Sequence, residues 1–267
     1  MNNRVAIITG GAGKIGSKIV EKFLNKEYNV LIVDRSSKNI NSLNELLLKK
    51  KFEYNSFLFL NANLSSYDNA KKTLDTAILN FDKVDVLVNL AGNATGNSII
   101  DISEETLKKN IENNLYSTFF CTKIFIEYLL NQNKRGTIVN ISSVNSIVGI
   151  GEDAYSLAKS GVNSLTRTTA VKFGKKGIRC NCICLGTIKA LTPSWKRRIE
   201  KDKHVFEKIE RKIPLEKMGT PDDVAEIVYF LSTDKSRLIN GSIIVADGGW
   251  TVSNGAVSEK DKNWWEI

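Results

Sequence analysis

Three side chains near the middle of the sequence could together move a proton. Tyr155 and Lys159 stand four residues apart in Tyr-Ser-Leu-Ala-Lys, so a helix would set phenol and ammonium on one face. A free tyrosine titrates near pKa ~10 and exchanges protons poorly at neutral pH. A neighbouring cation favours the phenolate, and lowering the pKa by one takes about 1.4 kcal/mol. Ser143 lies twelve residues before Tyr155, just after the apolar run Thr137-Ile-Val-Asn-Ile141. A hydroxyl at the end of a strand can face the same pocket as the start of the next helix. Tyr-x-x-x-Lys also occurs by chance, and the rest of the chain decides between the two readings.

A second constellation binds rather than reacts. The turn Thr9-Gly10-Gly11-Ala12-Gly13-Lys14-Ile15-Gly16 follows an apolar run and opens a helical pattern. Glycines there let the backbone approach a pyrophosphate at the helix N-terminus, where free amides and the helix dipole favour anions. Asp34 ends the next apolar run. A carboxylate at that place accepts from the adenosine ribose hydroxyls and repels a 2′-phosphate. This favours NAD over NADP, a preference that Arg35 and Lys14 could soften.

The elements that must position these groups alternate in type, and no Pro/Gly/Ser linker divides them. Strands are expected at 5–9, 30–33, 56–60, 84–89, 136–141, 178–184 and 242–246. Helices are expected at 15–25, 40–51, 67–80 and 104–130, and a further one carries Tyr155 and Lys159 and ends near Phe173. The alternation predicts an α/β, single-domain, Rossmann-type doubly wound sheet, mainly seven parallel strands with helices on both faces. In such a sheet, ligands bind beyond the carboxyl ends of the strands, near the switch in strand order.

Composition sets the outer bounds. The chain has 267 residues, 42% hydrophobic and 25% charged, which is enough for one core and argues against wholesale disorder. No apolar run approaches the ~20 residues that span a bilayer, and no leader is read at the N-terminus, so a cytoplasmic protein without membrane contact is expected. The formal charge is +9, but acidic residues interleave the densest basic run, 196–212, and no nucleic-acid-reading motif accompanies it. No nucleic-acid partner is expected, while an anionic substrate stays compatible. Cys180, Cys182 and Cys184 alternate in an apolar run, about 6.6 Å apart on one face, too far for easy joint chelation of one zinc. They are read as small buried residues, with no metal site. The single histidine, His204, is read as a solvated surface residue.

With these residues in hand, the chain resembles the short, single-domain branch of the short-chain dehydrogenase/reductase family from about Val5 to Trp250. The segments that carry the likeness are the glycine-rich turn, Asn89-Leu-Ala-Gly92, Asn114, Asn140-Ile-Ser-Ser143, Tyr155-x-x-x-Lys159 and Gly177-Ile-Arg-Cys-Asn181. Ile213-Pro-Leu215, Met218-Gly-Thr-Pro-Asp-Asp223, Asn240-Gly241 and Asp247-Gly-Gly249 continue it in the same order. The resemblance implies Tyr155 as general acid/base and Ser143 as the group holding the substrate oxygen. Lys159 would bind the nicotinamide ribose and depress the tyrosine pKa, and Asn114 would hold a water in the proton relay. Cofactor contacts would come from Gly10, Gly13, Lys14, Ile15, Gly16, Asp34, Arg35, Asn63, Leu64, Asn89, Ala91 and Gly92. Tyr155, Lys159, Gly186 and Ile188 would complete them at the nicotinamide. The cofactor is NAD, with NADP possible. The activity implied is interconversion of a secondary alcohol and a ketone; the alternatives are an NADPH-dependent 3-oxoacyl reductase and a non-catalytic dinucleotide-binding regulator.

Several positions depart from the family pattern. Lys14 stands at the middle glycine of the turn, Asn63 where an Asp contacts adenine, Leu90 in an Asn-Asn-Ala-Gly stretch, and Leu185 at the proline before Gly186. Residues 1–250 would form the catalytic domain, with a substrate lid at 189–212, and residues 251–267 a C-terminal extension. Asn93, Asn145 and Glu152 are polar candidates for reading hydroxyls, pointing to a sugar, polyol or hydroxy-acid derivative. The Trp264-Trp265 pair suggests docking between subunits, in a homotetramer or homodimer.

Overall fold

Successive residues of the first strand, β1 (Val5–Thr9), enter different cores: Ala6 and Ile8 pack on one side of the sheet, Val5 and Ile7 on the other. That is the strand period of two with both faces buried, as a parallel sheet covered by helices requires. The chain's computed structural model describes residues 3–93, 98–149 and 152–253. Helix α1 (Lys14–Leu24) follows β1 and leads to β2 (Asn29–Asp34), which pairs parallel to β1. Helix α2 (Ser37–Lys49), β3 (Phe57–Asn61) and α3 (Tyr67–Phe81) complete the first half. Strand β4 (Val86–Asn89) then returns to the other side of β1. The sheet order is β3-β2-β1-β4, and it continues through β5 (Gly136–Ser143), β6 (Ile178–Leu185) and β7 (Ile243–Ala246), all parallel. The order reverses between β1 and β4, so a crevice opens there at the carboxyl ends of the strands.

One core lies between the sheet and α1, α2 and a later helix, α9 (Pro221–Ser232), around Ile19, Phe23, Leu47 and Val228. The other lies under α3 and the helices after β4, around Leu74, Phe125 and Leu129. The long helix expected at 104–130 is three pieces. Helix α4 (Glu104–Ile111) runs into a π-helical turn at Glu112–Tyr116, and α5 (Ser117–Asn131) follows. Single π turns inside helices often mark functional sites, and this one holds Asn114. Helix α9 has no counterpart among the expected elements. Its start is a capping box in which Thr220 accepts from the Asp223 amide and the Asp223 carboxylate accepts from the Thr220 amide, with Pro221 in the first turn.

The cysteines of β6 are free and buried, as is Cys121. The thiols of Cys182 and Cys184 both lie against Asn163 Oδ1, at 3.4 and 3.6 Å. Among the described residues no helix is long and apolar enough to cross a membrane. Trp264 and Trp265 lie outside the described residues.

Candidate active site

Strand β5 and helix α6 (Asp153–Phe173) present the reactive side chains. Ser143 is the last residue of β5, and its Oγ accepts from the Asn145 amide (3.3 Å) and donates to Asn145 Oδ1 (3.2 Å). Tyr155 and Lys159 share one face of the first turns of α6, with Lys159 Nζ 5.6 Å from the phenol ring centre. The Lys159 side chain is almost wholly buried (4% exposed) and donates to the carbonyl of Ile141 at 2.9 Å. The Ser142 hydroxyl ties the same helix to the strand by donating to the backbone carbonyl of Lys159 (3.1 Å).

Burial governs the ionisation of both the phenol and the ammonium. Tyr155 is pushed up to about 12, chiefly by burial, and the Ser143 hydrogen bond works in the opposite direction. Burial also lowers Lys159 to about 8, so its ammonium has itself become easier to neutralise. The common cause is desolvation, and the Lys159 ammonium is held in place by the Ile141 carbonyl.

Beside these groups lies a cleft of about 570 Å³ at the switch between β1 and β4. Gly10, Gly13, Lys14, Ile15 and Gly16 form one wall. Gly10 has φ +66°, and a Cβ on Gly16 would come 2.2 Å from the Gly10 carbonyl oxygen, so only glycine permits this turn to close on itself. Asp34 and Arg35 line the cleft at the end of β2. Asp34 Oδ1 accepts from the Ser36 amide (2.9 Å), while the Arg35 guanidinium donates to Asn113 Oδ1 (3.1 Å) and Asn93 Oδ1 (3.4 Å). Asn63 and Leu64 line the same end. The side-chain oxygen of Asn63 is occupied by the amide and hydroxyl of Ser65, at 3.2 and 3.0 Å. Ala91 and Gly92 form the opposite wall.

Five expected cofactor residues, Asn89, Tyr155, Lys159, Gly186 and Ile188, do not line this cleft. Asn89 is buried and turned inward, donating to Thr122 Oγ1 (3.1 Å) and Asn140 Oδ1 (2.9 Å), so it braces β4 against β5 and α5. Ala190 and Thr192 line the cleft. Gly186 lies so close to Asp247 that a Cβ there would come within 2.6 Å of the Asp247 Cβ, and the buried Ile188 bridges to Gly219. Asn114 is tied to the loop after β4 and to its own helix. Both of its amide hydrogens are spent on the carbonyls of Asn93 (2.9 Å) and Asn110 (3.0 Å), and its Oδ1 accepts from the Asn93 amide (3.0 Å). Its side chain therefore locks the loop after β4 to the π-helical turn.

Thr9 does related work, although no motif points to its side chain. Its hydroxyl accepts from the amides of both Leu90 and Ala91, each at 3.1 Å, and donates to Val88 at 3.3 Å. A hydroxyl at the last position of an otherwise apolar strand is the sequence signal for it. The segment expected as a lid holds two short helices, α7 (Pro193–Lys201) and α8 (Val205–Glu210). A small cluster of Trp195, Phe206, Ile213, Met218 and Trp250 packs there. His204 is exposed beside α8 and faces Glu207 at 3.2 Å.

The cleft suits a dinucleotide on its own geometry, because the glycine turn at the N-terminus of α1 and the carboxylate of Asp34 at the end of β2 line the same cleft. Comparison with known proteins agrees. The family model described as enoyl-(acyl carrier protein) reductase matches residues 10–251. L-rhamnose-1-dehydrogenase of Scheffersomyces stipitis is 31% identical, with 95% of this chain and 98% of the relative covered. The 3-oxoacyl-[acyl-carrier-protein] reductase FabG of Thermotoga maritima is 30% identical over 94% of this chain and 99% of its own. A crystal structure of an oxidoreductase of the short-chain dehydrogenase/reductase family from Burkholderia thailandensis superposes with a TM-score of 0.84 at 30% identity, covering 94% of each chain. The chain belongs to the short-chain dehydrogenase/reductase family. It is an NAD(P)-dependent oxidoreductase of the kind that interconverts alcohols and ketones.

Proposed function

We propose that the protein interconverts a ketone and a secondary alcohol, with Tyr155 as the general acid/base. The carrying observation is the Ser143 hydrogen bond to Tyr155 one helical turn from the buried Lys159, whose ammonium lies against Gly92 on the wall of the glycine-lined cleft. Gly10, Gly13, Lys14, Ile15 and Gly16 would hold the pyrophosphate, and Asp34 the adenosine ribose. When bound, the dinucleotide supplies or accepts a hydride. Every other part of the chemistry belongs to the chain. Ser143 holds the carbonyl oxygen, and the Tyr155 phenol gives it a proton as negative charge develops there. Burial pushes the phenol up to about 12, so at neutral pH it carries the proton that reduction consumes and that oxidation returns to it. Lys159 stabilises the phenolate left behind and is itself fixed by the Ile141 carbonyl.

Asp34 supports NAD as the preferred cofactor, because its carboxylate would meet a 2′-phosphate with like charge. Arg35, held by Asn93 and Asn113, is the residue that could instead receive that phosphate. The basic run at 196–212 and the relative named for 3-oxoacyl reduction support an NADPH-dependent 3-oxoacyl reductase as the second reading. A polar substrate such as a sugar, polyol or hydroxy acid is supported by the polar Asn93, Asn145 and Glu152 and by the rhamnose dehydrogenase relative. A panel of those compounds and 3-oxoacyl thioesters, followed at the nicotinamide absorbance with each cofactor, tests both readings. Faster turnover of the thioester with NADPH would reject the first. We also place the protein in the cytoplasm as a homotetramer or homodimer. Tyr116 and Phe119, exposed around the π turn and α5, support this assembly, which light scattering tests by mass.

A further inference from the structure

Glu152 is the N-cap residue of α6, in extended conformation, three residues before Tyr155. Its Oε2 is buried and has no hydrogen-bond partner among the described residues. Burial raises its carboxyl above the ordinary glutamate range, and Arg198 on α7 pulls it back down. Its charge in turn reaches Tyr155 and raises the phenol. Arg198 is stacked on Trp195, 5.0 Å from the ring centre, and among the described residues it makes no ion pair with Glu152 within 4.0 Å. The carboxyl is thus within electrostatic reach of both the acid/base and α7, with one acceptor oxygen unsatisfied.

A buried acceptor left unpaired is costly, and a ligand that brings a donor recovers the cost. It also burdens the reaction, because a carboxylate near the phenol opposes formation of the phenolate. Such a group fits a binding role better than a proton-transfer role. We propose that Glu152 is a specificity-determining residue that accepts a hydrogen bond from a substrate hydroxyl one or two carbons from the reacting carbonyl. This rests on the oxidoreductase reading above and narrows its substrate class to hydroxyketones and the diols they form. A site built to accept from a hydroxyl discriminates strongly against the analogue without it, since the acceptor then stays buried and unpaired.

The test compares three ketones of one carbon skeleton: 2-butanone, 1-hydroxy-2-butanone and 4-hydroxy-2-butanone. The readout is the ratio of kcat/KM for each hydroxyketone to that for 2-butanone, so effects on the shared machinery cancel. In the unaltered protein at least one ratio is expected to exceed roughly 30. Glu152→Ala should bring it down to about 3 or less, and Glu152→Gln, which keeps an acceptor, should restore most of it. Arg198→Met should retain the high ratio. Turnover with the same ratio in Glu152→Ala, or a ratio lost equally in Arg198→Met, would overturn the role of Glu152 and leave the oxidoreductase reading standing. No turnover of any of the three with either cofactor, by folded protein that binds dinucleotide, would overturn that reading and this inference with it.

Discussion

Replacing Ser143 by alanine tests how the site sets its proton donor. Among the described residues, the Ser143 hydroxyl is the neighbour that lowers the Tyr155 pKa against the dominant effect of burial. Its single hydrogen is shared: it donates to Asn145 Oδ1 at 3.2 Å and can turn to the phenol oxygen once that oxygen is charged. A hydrogen bond to a charged group is worth about 1.5–3 kcal/mol, which at about 1.4 kcal/mol per pH unit corresponds to roughly 1–2 pH units. In the oxidation direction Tyr155 must be deprotonated, so kcat/KM rises with pH along a limb that reports this ionisation. Ser143→Ala should move that limb upward by about 1–2 pH units. It should also lower kcat/KM for reduction by about 10²–10³-fold through loss of a donor to the developing alkoxide. The assay is a pH profile of alcohol oxidation at saturating dinucleotide, with circular dichroism to confirm the fold. A limb that stays in place while the rate falls would refute the argument that Ser143 tunes the phenol.

Lys159→Met should abolish turnover yet stabilise the fold by about 1–3 kcal/mol near pH 7, because a buried ammonium is removed. The sign follows from its lowered pKa. The unfolded chain holds the Lys159 proton up to about 10.5 and the folded chain only to about 8, so the native protein gains stability as pH rises between those values and the variant does not. Urea titrations at pH 7 and pH 10 would check both parts. Gly16→Ala should destroy dinucleotide binding or the fold itself, since its Cβ would sit 2.2 Å from the Gly10 oxygen, and fluorescence titration with NADH reads the loss. Asp34→Ser should weaken NADH binding and strengthen NADPH binding, each by about 10-fold, through lost ribose hydrogen bonds and lost repulsion. An unchanged preference would show that Arg35 or Lys14 sets cofactor choice.

The sheet is legible in the sequence because each strand carries a dense apolar run and each turn a strong local signal, as at Gly10 to Gly16 and Asp34. Motif residues whose role depends on what their atoms touch are less legible. Asn89 and Asn114 sit in motif positions, yet their amide hydrogens are spent inside the protein, a matter of tertiary hydrogen bonding that spacing does not encode. The raised pKa of Tyr155 is hidden for a similar reason. Four residues of sequence convey the distance to an ammonium, but not how much water both groups lose. Helix α9 does have a local signal beyond its family motif: Thr220-Pro-Asp-Asp223 is a helix-start signature followed by an apolar-periodic run. Glu152 stands out in the sequence only for its polarity; its unpaired oxygen is a property of the folded chain.

One phenol carries the proposed chemistry, and Tyr155→Phe removes its oxygen while leaving the ring that packs beside Lys159. Stopped-flow mixing of the variant with NADH and then with a hydroxyketone should show dinucleotide fluorescence enhancement as in the unaltered protein, followed by no oxidation of the nicotinamide. Oxidation at an undiminished rate would mean that the proton comes from elsewhere, and the assignment of Tyr155 as acid/base would be wrong.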